Sequence, residues 1–271
     1  MHSSDRAKAG FPDCVADDWG MSPGINQGIL ELCEAGVVGG VSMLGSHEHL
    51  EQGLERLLGF EDLRFSLHLN FTHGPPLSRP EEIPSLCRPD GLFHDLPTLL
   101  RRIVCGRIAA EDMGLEARRQ IGRLKALGVP LTGIEGHHHV HLIPQVFAAA
   151  AAALKDAGID WVRLPVDPSH VPSWFAGGVF KGWLQFAAAA RGCRRFRLQP
   201  TLYLNVADVR SAAALNRKLS NANGLPIIIH PARKNDLPRM SHPDSRQAER
   251  VVEFRALLEW SRGNRQARSD A

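Results

Sequence analysis

The sequence predicts an α/β chain folded as one (β/α) barrel, closed or incomplete. Two observations point that way. Short apolar runs alternate with segments whose apolar residues recur at helical spacing, which is the pattern of a mostly parallel sheet flanked by helices. Acids and histidines also follow at least four of these runs directly: Asp17-Asp18, His68, the segment Glu135 to His141, and His230. Parallel α/β folds place their sites at the carboxyl ends of strands. An open sheet concentrates its site at one switch point, whereas a barrel gathers groups from many strand ends.

The elements read in order as follows. Cys14-Val15-Ala16 is a weak first strand, preceded by Pro12 and Asp13 and running into the acidic pair. Residues 25–36 carry Ile25, Ile29, Leu32 and Cys33 at helical spacing and end at Gly36, a natural helix stop. Residues 37–44 read as a second strand, 50–58 as a short helix and 64–71 as a third strand. Residues 72–97, rich in Pro, Gly and charge, form a long inserted loop of the kind that covers or binds. A single helix is expected over 99–127, ending at Gly128, then a strand over 131–135 that delivers the histidines. Pro144 suits the first turn of a helix running to Asp156. A strand at 161–164 follows, then an irregular Pro/Gly-rich stretch over 165–182. Late strands at 201–206 and 226–229 and a closing helix at 248–260 complete the domain, set at residues 1–262, with 263–271 expected to be a disordered tail.

Composition narrows the function classes. The chain has 271 residues, 44% of them hydrophobic, which is enough for one sizeable core. Formal net charge is +3, and the three Arg and one Asp from residue 262 onward supply +2 of it, so the body is nearly neutral. That argues against nucleic acid as a partner, since phosphate binding needs a concentrated basic face. The longest apolar run, Val146 to Leu154, is too short to span a bilayer. With no secretory h-region in the first residues, a cytoplasmic protein is expected. Five cysteines without a CxxC fit reduced thiols rather than a cysteine zinc site.

The charged stretches suggest metal and proton chemistry. Four histidines in five positions rarely arise as core filling, because a buried imidazole needs a partner. In a strand His137, His139 and His141 share one face; in a helix His137 aligns with His141. The strand pattern before them and Pro144 after them favour strand running into loop. Asp17 and Asp18 read alone as a solvated turn or a helix cap. Placed at a strand end that bends at Gly20, both can enter one pocket, one to bind a cation and the other to take a proton. His68, between Leu67 and Leu69, reads equally as a satisfied core histidine. One Asp with two His is a common facial set that leaves positions open for water and substrate. Zn²⁺ suits hydrolysis, Mg²⁺ prefers oxygen ligands, and iron fits the same ligand types.

Three motifs in this order resemble the YdjC-like family of carbohydrate deacetylases, which includes the chito-oligosaccharide and hopanoid-associated deacetylases. They are Ala16-Asp17-Asp18-Trp19-Gly20, His68-Leu69-Asn70-Phe71-Thr72, and Glu135-Gly136-His137-His138-His139-Val140-His141, with a later His230-Pro231. Trp19 stands where phenylalanine is usual, and Glu135 where aspartate or asparagine is common. The resemblance implies a distorted, TIM-like (β/α) barrel and removal of acetyl from an N-acetylated amino sugar. It implies one divalent metal, Zn²⁺ or Mg²⁺, held by Asp18, His68 and His137, with Asp17 as base and His230 as acid toward the leaving amine. It also makes a homodimer plausible.

Sugar contact is expected of aromatic faces and inserted loops, with Trp174 and His139 assigned to it; Trp174 and Trp183 read equally as core or subunit contacts. Arg163 can orient a substrate carboxylate or hydroxyl, or pair internally with Glu135. His47 and His49 read as a helix start or as an added binding element. Two other classes compete: a metal-dependent phosphoesterase on a similar barrel, which usually opens with His-x-His where this chain has Asp17-Asp18, and a non-catalytic sugar- or metal-binding protein.

Overall fold

Near-continuous burial of the strand residues is what a parallel sheet covered on both faces requires. The strands are β1 (Cys14–Trp19), β2 (Val38–Met43), β3 (Arg64–Leu69), β4 (Leu131–Gly136), β5 (Trp161–Pro165), β6 (Arg197–Tyr203) and β7 (Ile227–Ile229). The structure, a computed structural model, describes residues 13–166, 196–234, 236 and 247–269. Each strand pairs in parallel with the next, and β1 returns to β7 through Cys14↔Ile227, Val15↔Ile228 and Ala16↔Ile229, so the barrel closes. The expected barrel is therefore complete, with seven strands among the described residues.

Helices cover the outside. Helix α1 (Pro23–Glu34) starts two residues earlier than its apolar spacing suggests. Ser22 accepts a hydrogen bond from the Ile25 N–H at 3.1 Å, and Pro23 occupies the first turn, where its missing N–H costs nothing. Helix α2 is confined to Leu54–Leu58, because Gly53 ahead of it has φ of 81°. The helix expected over 99–127 is two, α3 (Leu96–Val104) and α4 (Ala110–Ala126). Gly106, at φ 65°, breaks them, and apolar periodicity does not register such a break. Helix α5 (Pro144–Asp156) begins at its proline, and α6 (Ala212–Ser220) is capped by Ser211. The closing helix α7 (Gln247–Ser269) runs past Gly263 through the segment for which the sequence predicted disorder. Arg265 ties that extension down, donating to the Ala35 carbonyl and to Ser261 Oγ. No described helix is long and apolar enough to cross a membrane.

Strand β6 begins four residues before the expected Thr201, since Pro200 and the polar residues ahead of it disguise a strand. The histidine segment is neither strand nor plain loop. Residues His137–Leu142 form a 3₁₀ turn in which His138 and His139 take left-handed φ values of 52° and 58°. Consecutive imidazoles therefore fan out instead of alternating. His141 tucks beneath β5, donating from Nε2 to the Arg163 carbonyl at 3.1 Å. A Cβ on Gly136 would lie 2.9 Å from His141 Nδ1, so that glycine is required for the approach.

The long connection after β3 is docked on α4 rather than loose. Ile83, Leu86 and Phe93 are buried. Glu116, fully buried, accepts from the N–H groups of Leu77 (3.1 Å) and Ser78 (2.9 Å) and from Gln120 Nε2 (2.9 Å). Glu82 forms a two-pronged pair with Arg119 at 2.6 and 2.9 Å, and these hydrogen bonds pull its carboxyl down to about 2.

Two predictions arise. Glu116→Ala leaves several buried donors without an acceptor and should cost about 2–5 kcal/mol of unfolding free energy, read by urea denaturation. Burial pushes the His141 imidazole down to about 3, below its ordinary 6.5. The unfolded chain then binds the extra proton between those values, so this contribution is complete above pH ~6.5 and is lost as pH falls toward ~3, by at most about 1.4 kcal/mol per pH unit. His141→Gln, which keeps a donor for the Arg163 carbonyl, should flatten that part of the stability–pH curve; parallel curves for the two proteins would contradict the assignment.

Candidate functional site

Asp17 and Asp18 are neighbours in β1, and side chains of successive strand residues normally diverge. Here they converge because the ladder slips. Ala16 pairs with Val41 and Trp19 with Met43, so both acids stand opposite Ser42 alone, which is a β-bulge. Asp18 takes up the distortion with φ of 70°, a conformation that costs a non-glycine residue about 1–3 kcal/mol. The bend thus begins at Asp18 itself and continues at the expected Gly20, which has φ of 98°.

Asp18 is the hub. Its Oδ1 lies 3.1 Å from His68 Nε2 and 3.1 Å from His137 Nδ1, and its Oδ2 accepts from Arg250 of α7. All four side chains are buried or nearly so. Burial alone pushes the Asp18 carboxyl up, but the Arg250 charge and the hydrogen bonds from His137 and His68 outweigh it, and the group sits well below the usual carboxylate range. Burial holds the His137 imidazole below its ordinary value despite Asp18. On its other side His68 Nδ1 meets Ser42 Oγ at 2.7 Å. Nε2 donates to the Asp18 carboxylate while no cation is bound, and Ser42 Oγ is placed to accept from Nδ1–H in the other tautomer, which would free the Nε2 lone pair for an ion, the arrangement usual behind a metal-binding imidazole.

Asp17 faces a different partner. Arg163 of β5 donates to both its oxygens, at 2.5 and 2.8 Å, and also pairs with Glu135, whose carboxylate accepts from Ser66. Burial raises the Asp17 carboxyl above its ordinary value, with Arg163 and His68 offsetting only part of that rise. His230 Nε2 is 3.7 Å from Asp17 Oδ2, beyond hydrogen-bond range but within reach of an ion pair when the ring is protonated. Its backbone N–H is held by Glu253 of α7.

The donor set can be tested against a cation. One ligand atom each from Asp18, His68 and His137 lie within 4.8 Å of one another, a span that one ion with bonds of about 2 Å can bridge. Asp17, His68 and Glu135 meet the same criterion. In that second set both carboxylates share a single arginine, whereas Asp18 Oδ1 faces two imidazoles. The first set therefore fits a divalent ion better.

Of the remaining expected residues, Arg163 is 1% exposed and paired with Asp17 and Glu135, so the internal pairing is the one present. His139 is half-buried on the rim, its ring edge-on to Tyr203 at 5.6 Å. Trp174 lies outside the described residues. A cavity of about 260 Å³ opens beside His230, with Asn205, Arg250, Glu249 and Glu253 among its lining.

Sequence reasoning missed Arg250 and Glu253. They sit three residues apart on a mostly polar helix, where a charged face ordinarily means solvent. It also missed Ser42 and Ser66, which no motif marks.

A family profile described as YdjC-like protein matches residues 15–261. A carbohydrate deacetylase of Mus musculus is 31% identical over 181 residues, covering 66% of this chain and 56% of that protein. A chitooligosaccharide deacetylase of Escherichia fergusonii is 33% identical over 145 residues, covering 53% and 55%. A carbohydrate deacetylase of Brevibacillus brevis is 36% identical over 131 residues, covering 48% and 50%. The chain thus spans about half the length of the curated relatives it matches. Among solved structures, an Enterococcus faecalis protein provisionally described as a cellobiose-phosphate cleavage protein superposes with a TM-score of 0.71, covering 94% of this chain and 93% of that one at 20% identity. That likeness shows the fold alone. With a profile match from the first strand to the closing helix, the chain belongs to the YdjC-like family.

Proposed function

We propose that the protein is a metal-dependent hydrolase that removes the acetyl group from an N-acetylated amino sugar or glycoconjugate. The observation that carries this is the pairing of two unlike carboxylates at one strand end. Asp18 is held low among His68, His137 and Arg250, while Asp17 beside it is raised by burial. Neighbouring groups whose environments push their pKa values apart are the usual basis for dividing ligand and base duties. Deacetylases of carbohydrates among the relatives support the substrate class.

Asp18, His68 and His137 would hold the ion. When bound, a divalent cation supplies Lewis-acid charge for the carbonyl oxygen and for the attacking water. Asp17 accepts the water's proton as the water oxygen bonds to the amide carbon; its raised pKa makes it a better base than an ordinary carboxylate. Arg163 fixes the Asp17 carboxylate while leaving lone pairs on both oxygens for that proton. His230, protonated, gives its proton to the amide nitrogen as the C–N bond breaks, so that acetate and a free amine leave. The cavity beside His230 has room for about one sugar residue, with polar groups for its hydroxyls.

Acetate release from a panel of N-acetylated chito-oligosaccharides tests the reading. Asp17→Asn should lower kcat by about 10²–10⁴-fold while metal content stays at wild-type level. His137→Ala should lose both metal and turnover. Chelation should abolish acetate release, with recovery on adding back Zn²⁺ or Mg²⁺. Near-normal turnover by Asp17→Asn would show the base to be another group.

A further inference from the structure

The barrel wall is not knit evenly around Arg163. Strand β5 follows β6 along its whole length, from Trp161↔Arg197 to Pro165↔Thr201. It pairs with β4 only through Gly133↔Trp161 and Ile134↔Val162. Beyond that point β4 keeps to its other neighbour, with Glu135 opposite His68 and Gly136 opposite Leu69 of β3. The sheet therefore parts between β4 and β5 at the residue that carries the guanidinium of the site. Neighbouring strands satisfy each other's backbone groups, so such a seam leaves groups that need other partners.

His141 supplies one of them. It is fully buried, and its Nε2 lies 3.1 Å from the Arg163 carbonyl. A carbonyl oxygen only accepts, so Nε2 carries the hydrogen. Burial pushes the ring down to about 3, which keeps it neutral, and the bare Nδ1 lies against Gly136. Among the described residues, the Arg163 carbonyl is the one hydrogen-bond partner of this imidazole. The same short segment grips the other end of Arg163. Glu135, at the end of β4, pairs with the guanidinium, which also donates to both oxygens of Asp17 at 2.5 and 2.8 Å. Backbone and head group of Arg163 are thus both set by residues 135–141. A long side chain places its head group only as well as the backbone beneath it is held.

We propose that His141 is a positioning residue for the reaction: by holding the Arg163 carbonyl where β4 and β5 part, it fixes the guanidinium that aims the Asp17 carboxylate. This rests on the deacetylase reading, in which Asp17 is the base. His141 itself touches neither substrate nor ion and acts through Arg163.

Two variants of the full chain separate this role from core filling. The amide of His141→Gln reaches the place of Nε2, whereas that of His141→Asn, one methylene shorter, stops at the place of Nδ1. In acetate release from chito-oligosaccharides, His141→Asn should lose about 10- to 100-fold in kcat, with KM and metal content unchanged. His141→Gln should recover most of that loss. Crystal structures of the two variants give a readout apart from turnover. The Arg163–Asp17 contacts should open beyond hydrogen-bond range in His141→Asn and stay closed in His141→Gln. Long-range ¹H–¹⁵N correlation on the wild-type protein should show His141 as the neutral Nε2–H tautomer. Values of kcat for the two variants within about twofold of each other, or a loss carried by KM or metal content, would overturn the proposal. So would closed Arg163–Asp17 contacts in His141→Asn. An Nδ1–H tautomer would do the same even if His141→Asn failed to fold. If the wild-type protein released no acetate, the deacetylase reading would fail by itself. The tautomer and the Arg163–Asp17 contacts would still decide this one.

Discussion

One carboxylate organises the carboxyl end of this barrel. Asp18 sits in a left-handed conformation inside a strand and contacts His68 of β3, His137 after β4 and Arg250 of α7. Neither the backbone conformation nor the burial of the acid is favourable by itself. What makes both tolerable is that three elements far apart in sequence deliver positive or hydrogen-bonding partners to the same two oxygens. The same bulge turns Asp17 toward Arg163, so that neighbouring acids enter one pocket with different partners and opposite pKa displacements.

The two arginines divide the charge. Arg163 serves Asp17 and Glu135 across the barrel interior, and Arg250 serves Asp18 from outside it. Removing either would leave a buried carboxylate uncompensated, which typically costs about 3–5 kcal/mol. The closing helix is for that reason part of the site as well as of the scaffold: Arg250 reaches Asp18, and three residues on, Glu253 fixes the backbone of His230. Chain end and first strand are coupled through the chemistry they share.

Much of this could be read from residue order, and what could not has physical causes. Strand ends carrying Asp17, Asp18, His68, His137 and His230 implied a barrel, because only a closed sheet brings so many ends to one rim, and the structure closes one. The histidine segment was misread as strand into loop because periodicity assumes one conformation per residue, while His138 and His139 adopt left-handed backbone. The break between α3 and α4 was missed since the apolar stripe persists on either side of Gly106. Arg163 was open between substrate and Glu135, since nothing local says whether a guanidinium at a strand end faces inward. Ser42 and Arg250 were invisible for one common reason. Each gains its meaning from a partner more than twenty residues away, and such pairings exist only once the barrel has closed.

The central claim is that Asp18, His68 and His137 share one cation while Asp17 stays free to handle a proton. Anomalous diffraction from crystals equilibrated with Zn²⁺ tests it most directly. The predicted result is a single strong peak within about 2.0–2.2 Å of a carboxylate oxygen of Asp18 and of one nitrogen each from His68 and His137. A peak seated between Asp17 and Glu135, or no peak in this pocket at saturating zinc, would contradict it.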